Sequence, residues 1–330
     1  MRIGNIEMPL GAALAPMAGV TDANMRLICA RYGCAWSVSE MLSAKGYIYS
    51  PEARVHSELL TYREEEGICG LQLFGCEKEM LSEAVKRLND RPFAFFDFNM
   101  GCPAHKIVAN GEGSALMKTP LEAAKLVEAM VKAARKPVTV KIRAGWDSEH
   151  INAPEVAKML EESGAQAITV HPRTREMFYS GKADWNIIAE VKQRVAIPVI
   201  GNGDIRSSAD AVRMINETGC DGIMAARAAQ GNPWLFTEIK NALEGKTFTP
   251  PSLKERIDLI NEHMDMQIAS LGKRLGVLEM RKHIAWYLQG LPGSNRIRAR
   301  VNLLTDADEI KGLLNDLLLK NVEDTQNGTV

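Results

Sequence analysis

Apolar positions along the chain gather into eight short runs, at residues 12–15, 35–39, 68–73, 93–98, 138–142, 167–170, 197–200 and 222–225. Most are followed by a stretch whose apolar residues recur three and four positions apart, as at 78–88, 121–135, 154–162 and 208–217. The runs predict buried strands, and the stretches between them predict amphipathic helices covering a sheet. Strand alternating with helix implies parallel pairing. Eight such units match a closed (β/α)8 TIM barrel, which takes about 250 residues, better than an open doubly wound sheet. Gly111-x-Gly113 lacks a third glycine and opens no helix after a strand, so a Rossmann unit is the weaker alternative.

The pattern changes after residue 245. Residues 246–252 hold Pro250-Pro251, which exclude helix and mark a linker between a barrel of residues 1–245 and a C-terminal region. From Leu253 to Leu319 helical periodicity dominates with almost no strand signal, which predicts a small all-α C-terminal domain over 253–330. Residues 323–330 read as frayed.

At 330 residues and 46% hydrophobic, the chain is long enough to bury a large core. A formal charge of −1 argues against a whole-molecule polyanion-binding surface, so any nucleic-acid contact must come from a local patch. One exists: residues 273–300 hold seven Lys/Arg against the single acid Glu279. The six cysteines show neither C-x-x-C pairing nor Cys/His ligand spacing, so free thiols of a reducing cytosol are expected, with no metal. The apolar stretch at 10–14 is too short and interrupted for a signal, and no apolar run is long enough to span a membrane. A cytoplasmic monomer is the expectation.

Candidate chemistry sits at the carboxyl ends of the runs, where barrel enzymes assemble their sites. These ends carry Pro16-Met17-Ala18, Glu40, Gln72, Asn99 with Cys102, Lys141 with Arg143, His171, Asn202-Gly203-Asp204, and Arg227 after Ala226. Each alone has an ordinary explanation, Cys102 included, because cysteine most often packs as a small hydrophobe. A ring of eight is harder to dismiss. The loops after the seventh and eighth runs are small-residue loops with one guanidinium, Arg227, and suit a phosphate. They point to a phosphorylated cofactor, for which flavin mononucleotide is a fit with Lys141 as the cation near its ring.

The segments 15–22 (APMAGVTD), 72–75 (QLFG), 97–103 (DFNMGCP), 141–143 (KIR), 171–175 (HPRTR) and 202–205 (NGDI) together resemble the tRNA-dihydrouridine synthases. The run 281–287 (RKHIAWY) is similar to the helical domain of that family, most like its bacterial B-type branch. The resemblance implies an FMN barrel that reduces the C5–C6 bond of a D-loop uridine in tRNA, with NADPH or NADH as electron source. It implies FMN contacts from Pro16, Met17, Ala18, Gln72, Lys141, His171, Asn202, Gly203, Asp204, Ala226 and Arg227. Cys102 is implied as the proton donor to C5, and Asn99, Arg143 and Arg173 as uracil-positioning groups. Arg281, Lys282, Arg296, Arg298 and Arg300 are the implied RNA contacts, holding phosphates while the target base leaves its stack. A thiol of ordinary pKa suits an acid at neutral pH.

Two departures from the family pattern bear on FMN. Ala226 stands where glycine is usual, which matters if that position needs a left-handed backbone, and Pro172 removes a backbone donor after His171. Two other readings stay open on the residues: a flavin barrel acting on a small pyrimidine, which the basic tail speaks against, and a catalytically silent RNA-binding protein.

Overall fold

The computed structural model describes residues 1–291 and 293–326. In chain order, β1 (Arg2–Ile3) and β2 (Ile6–Glu7) form a short antiparallel hairpin. Eight parallel strands come next: β3 (Ala12–Leu14), β4 (Trp36–Val38), β6 (Cys69–Phe74), β7 (Phe95–Met100), β8 (Val138–Arg143), β9 (Ile168–His171), β10 (Val199–Asn202) and β11 (Gly222–Ala225). A two-residue strand β5 (Leu42–Ser43) adds a rung on β6. Each of the eight pairs with its neighbours, and because β4 bonds both β3 and β6 while β11 bonds β3, the sheet closes on itself. The architecture is the TIM barrel that the alternation predicts.

The strands are buried almost throughout, as expected for parallel strands with a packed interior and a helical cover. Helices Ala23–Arg31, Lys78–Leu88, Pro120–Ala133, Ala153–Glu162, Asn186–Arg194, Ser208–Thr218 and Trp234–Leu243 supply most of that cover. Ile3 and Met8 join Ala13, Trp36, Phe95, Ile200 and Met224 in one apolar cluster, so the hairpin region packs against residues near the amino ends of the strands. The opposite end is left for function.

The run expected at 93–98 forms a strand two residues later, Phe95–Met100. This shift matters. It carries Asn99 into the ladder, opposite Lys141, instead of leaving it in a loop.

The chain divides into two compact units. Met1–Arg227 with Leu235–Thr247 forms the barrel unit, and Ala228–Trp234 joins Phe248 onward in the helical unit. The excursion of 228–234 has a local cause at Gly231, where an added Cβ would lie 2.3 Å from the backbone of Trp286 and Tyr287. Only glycine lets these segments approach so closely. The helical unit contains Leu253–Leu271, Lys273–Tyr287, Ser294–Val301 and Ala307–Gln326. Ser252 caps the first of these, its hydroxyl accepting from Glu255 N while the Glu255 carboxylate accepts from Ser252 N. The backbone is helical to Gln326, past the point where fraying is expected, and residues 327–330 lie outside the described residues.

Candidate active site

The carboxyl end of β7 is organised by one amide. Asn99 Oδ1 accepts from Gly101 N at 3.1 Å and from Cys102 N at 2.9 Å, while its Nδ2 donates to Gln72 Oε1 at 2.8 Å. Gln72 Nε2 donates in turn to Asp97 Oδ2 at 2.7 Å, and Thr139 Oγ1 to Asp97 Oδ1 at 2.6 Å. This chain crosses β6, β7 and β8 and has a fixed direction, because a carboxylate only accepts. The buried Asp97 thus turns the Gln72 amide, which turns the Asn99 amide, whose oxygen then faces the Cys102 loop. Burial lifts the Asp97 carboxyl to about 6, against the opposing effects of Gln72, Thr139 and Lys141.

Cys102 is half-buried. Its carbonyl accepts from Ser114 N at 3.0 Å and Ser114 Oγ at 2.8 Å, so the residue is pinned on both its backbone groups. Burial pushes its thiol above the ordinary value, although Ala104 N–H, Arg143 and Lys141 pull the other way. The group is therefore a thiol, and a proton donor, at neutral pH.

Two cations flank it. Lys141 Nζ donates to Asn202 Oδ1 at 2.9 Å, and burial with Arg143 nearby holds the ammonium down at about 8. Arg143, 2% exposed, donates from Nε to Gly101 O at 2.7 Å and from Nη1 to Thr174 O and Phe178 O at 2.9 and 2.8 Å. Its Nη2 makes no hydrogen bond among the described residues, so Arg143 staples the Cys102 loop to the loop after β9 and keeps one donor group in hand. Burial lowers its pKa to about 10, which leaves it charged. His171 is held well below its ordinary value by burial and by the cations around it, and so is neutral.

Arg173 is 1% exposed, and its guanidinium donates to Ser180 O, Gly181 O and both oxygens of Asp204, with His171 Nε2 at 3.5 Å. Such an arginine is a strut that positions Asp204 and the loop at 180–181. Asp204 also accepts from Ala183 N at 2.9 Å. Its φ of 56° is one of two left-handed non-glycine conformations among the described residues, the other being Phe178 at 53°. Both lie beside the mouth, where such strain is held by surrounding bonds.

The loops after β10 and β11 fit a phosphate-bearing group. Gly203 has φ +122°, and a Cβ there would sit 2.9 Å from His171 Cδ2, so the wall is bare backbone. Arg227 is exposed, 3.7 Å from Asp204, with its guanidinium 5.0 Å from the Tyr179 ring. Ala226 is not left-handed, so the departure from glycine imposes no backbone strain here. Next to them, after β3, which pairs with β11, Pro16, Met17 and Ala18 form a loop held by Thr21, whose hydroxyl donates to Ala15 O, and by Glu40, which accepts from Gly19 N. Gln72 and Asn202 have both amide atoms engaged by residues of other strands, Asn202 donating to Met224 O at 2.7 Å. They shape the floor.

Tyr179 was not singled out by the pattern. It is 51% exposed, with Arg143 and Arg227 at 5.6 and 5.0 Å from its ring and His171 at 6.4 Å. An aromatic within the loop after the His171 strand is the signal that would have found it.

Within the helical unit, Arg281 donates from Nε and Nη2 to Leu304 O at 3.2 and 2.6 Å, and Lys282 pairs with Glu279. Both are thus committed locally. Arg296 and Arg300 are exposed and Arg298 is half-buried on the helix Ser294–Val301. Among the described residues no group of three His, Cys, Asp or Glu is placed to hold a metal, and no helix is long and apolar enough to cross a membrane.

A closed parallel barrel with a pinned, protonated thiol and two cations at the carboxyl ends of its strands defines a β/α-barrel enzyme. Two solved structures share the fold. One is histamine dehydrogenase from Rhizobium sp. 4-9, with a TM-score of 0.56 and 16% identity over 86% of this chain and 50% of that chain. The other is morphinone reductase, with a TM-score of 0.52 and 13% identity over 78% of this chain and 91% of that one. The family model described as dihydrouridine synthase (Dus) matches residues 13–323, and the chain belongs to that family. It is 44% identical to a probable tRNA-dihydrouridine synthase of Rickettsia conorii, over 94% of each chain. It is 40% identical to tRNA-dihydrouridine synthase B of Pseudomonas aeruginosa, over 93% of this chain and 92% of that one.

Proposed function

We propose that this protein reduces the C5–C6 double bond of a D-loop uridine in tRNA to 5,6-dihydrouridine. The observation that carries the reading is the Cys102 thiol, held as the acid by burial and fixed through Asn99 in a ring of strand-end residues. Membership of the dihydrouridine synthase family supports it. FMN, reloaded by NADPH or NADH, would supply the hydride that goes to C6. The backbone at Ala18 and Gly203, with Ala226, Arg227 and Lys141, would hold it.

The chain's own residues do the rest. Cys102 gives its proton to C5. Arg143, with an Nη2 donor to spare, and Lys141 favour the negative charge that builds on the uracil as hydride arrives. Asn99, Gln72 and Asp97 fix the thiol's position. Tyr179 offers a face on which the extruded base or its neighbour stacks. Arg296, Arg298 and Arg300 contact phosphates elsewhere on the tRNA.

The test is to incubate the FMN-loaded protein and NADPH with unmodified tRNA and measure dihydrouridine by mass. Dihydrouridine in tRNA supports the reading, and reduction of free pyrimidines alone overturns it.

A further inference from the structure

The loops after β7, β8 and β9 carry a cationic strip that the thiol chemistry does not use. Trp146, half-buried, has Lys118 Nζ at 4.6 Å and the Arg175 guanidinium at 4.9 Å from its ring. Arg175 Nη2 donates to His105 Nδ1 at 3.2 Å, which places the imidazole proton on Nε2. Arg175 Nε is buried with no hydrogen-bond partner. Among the described residues neither Lys118 nor Arg175 has a carboxylate within 4.0 Å. Asp147, next to Trp146 in the chain, is turned to His150 at 2.7 Å. Exposed Glu176, next to Arg175, pairs with neither cation.

The strip is tied to the Cys102 loop. Lys118 ends the short helix Gly113–Lys118, whose Ser114 holds the Cys102 carbonyl. Arg175 comes directly after Thr174, which accepts from the same Arg143 that holds Gly101. An aromatic ring fixes cations in place without neutralising them, so the strip keeps its charge for an outside anion. A nucleotide whose base enters the barrel mouth leaves its own phosphodiester at the rim.

We propose that Lys118 and Arg175, braced on Trp146, bind the phosphodiester backbone beside the reacting uridine. This rests on the tRNA reading above and adds a contact surface on the barrel itself to the one expected on the helical unit.

The test measures the Kd of an unmodified tRNA transcript for the FMN-loaded full chain from about 50 to about 200 mM salt. The proteins compared are wild type, Lys118→Met, Arg175→Met and, as a charge-retaining control, Lys118→Arg. Each methionine variant should lower the slope of log Kd against log salt by about one, the value for one lost phosphate contact. Lys118→Arg should keep the wild-type slope, as should Lys132→Met, which removes a cation paired with Glu128 on the helix Pro120–Ala133. Thermal unfolding checks that the variants fold. Lys118 is exposed with its ammonium over the indole, so Lys118→Met serves if Arg175→Met does not fold. A wild-type slope in the folded methionine variants overturns the proposal while leaving the tRNA reading intact. Absence of salt-dependent tRNA binding by the wild type overturns both.

Discussion

The backbone N–H of Cys102 donates to Asn99 Oδ1 at 2.9 Å, three residues back along the same strand end. One side chain thus sets the entry angle of the reactive loop, and the far side of that amide is anchored through Gln72 to a buried carboxylate. The thiol is placed by a strand, not by a loop.

Asn99→Ala should free Gly101 N and Cys102 N and let the loop drift. A misplacement of about 1 Å costs on the order of 10²-fold in rate. Single-turnover uridine reduction should fall by about that factor, with tRNA Kd changed far less. Equal losses in both would make Asn99 a direct substrate ligand instead.

The Arg173–Asp204 pair carries stability. The guanidinium is buried, and Asp204 is its only carboxylate within 4.0 Å among the described residues. Asp204→Ala should cost about 3 kcal/mol in urea unfolding, because it strands a buried charge. Replacing Arg173 by Met in the same chain should recover part of the loss. Additive losses would count against the strut.

Much of this was legible in the sequence, and the boundary between what was and what was not is physical. Continuous apolar runs reveal buried parallel strands because both faces are covered, so all eight barrel strands and their order could be read. The hairpin of β1 and β2 was not, since two-residue strands carry no period. Residue types at strand ends located Cys102, Lys141 and Arg143. They could not show that Arg173 turns inward while Arg143 keeps a free donor, because that depends on carbonyls at Thr174, Phe178 and Ser180 whose position only the folded loop defines. For the same reason the pattern could not show that the Arg281 guanidinium bonds Leu304 O. The Lys118, Trp146 and Arg175 cluster joins three separate loops and has no linear signature.

Lys141 offers a pH test. Its pKa in the folded protein is pushed down to about 8 from 10.5, so between those values the unfolded chain binds more protons than the folded one. Wild-type stability, measured on flavin-free protein relative to Lys141→Met, should therefore rise as pH increases through this window. A constant difference would mean that the ammonium is solvated.

Tyr179→Ala should raise KM for tRNA about tenfold, within the range of one lost base-stacking contact, and leave NADPH-driven flavin reduction unchanged. An unchanged KM would confine Tyr179 to packing against Arg143 and Arg227.

The most direct measurement concerns the proposed acid, Cys102. FMN-loaded wild type and Cys102→Ala are each reduced with NADPH, mixed with unmodified tRNA, and monitored both by flavin reoxidation and by dihydrouridine content. The account predicts normal flavin reduction in the variant and a loss of roughly 10²- to 10⁴-fold, the usual worth of a general acid, in uridine reduction. Dihydrouridine formation by Cys102→Ala at the wild-type rate would contradict it.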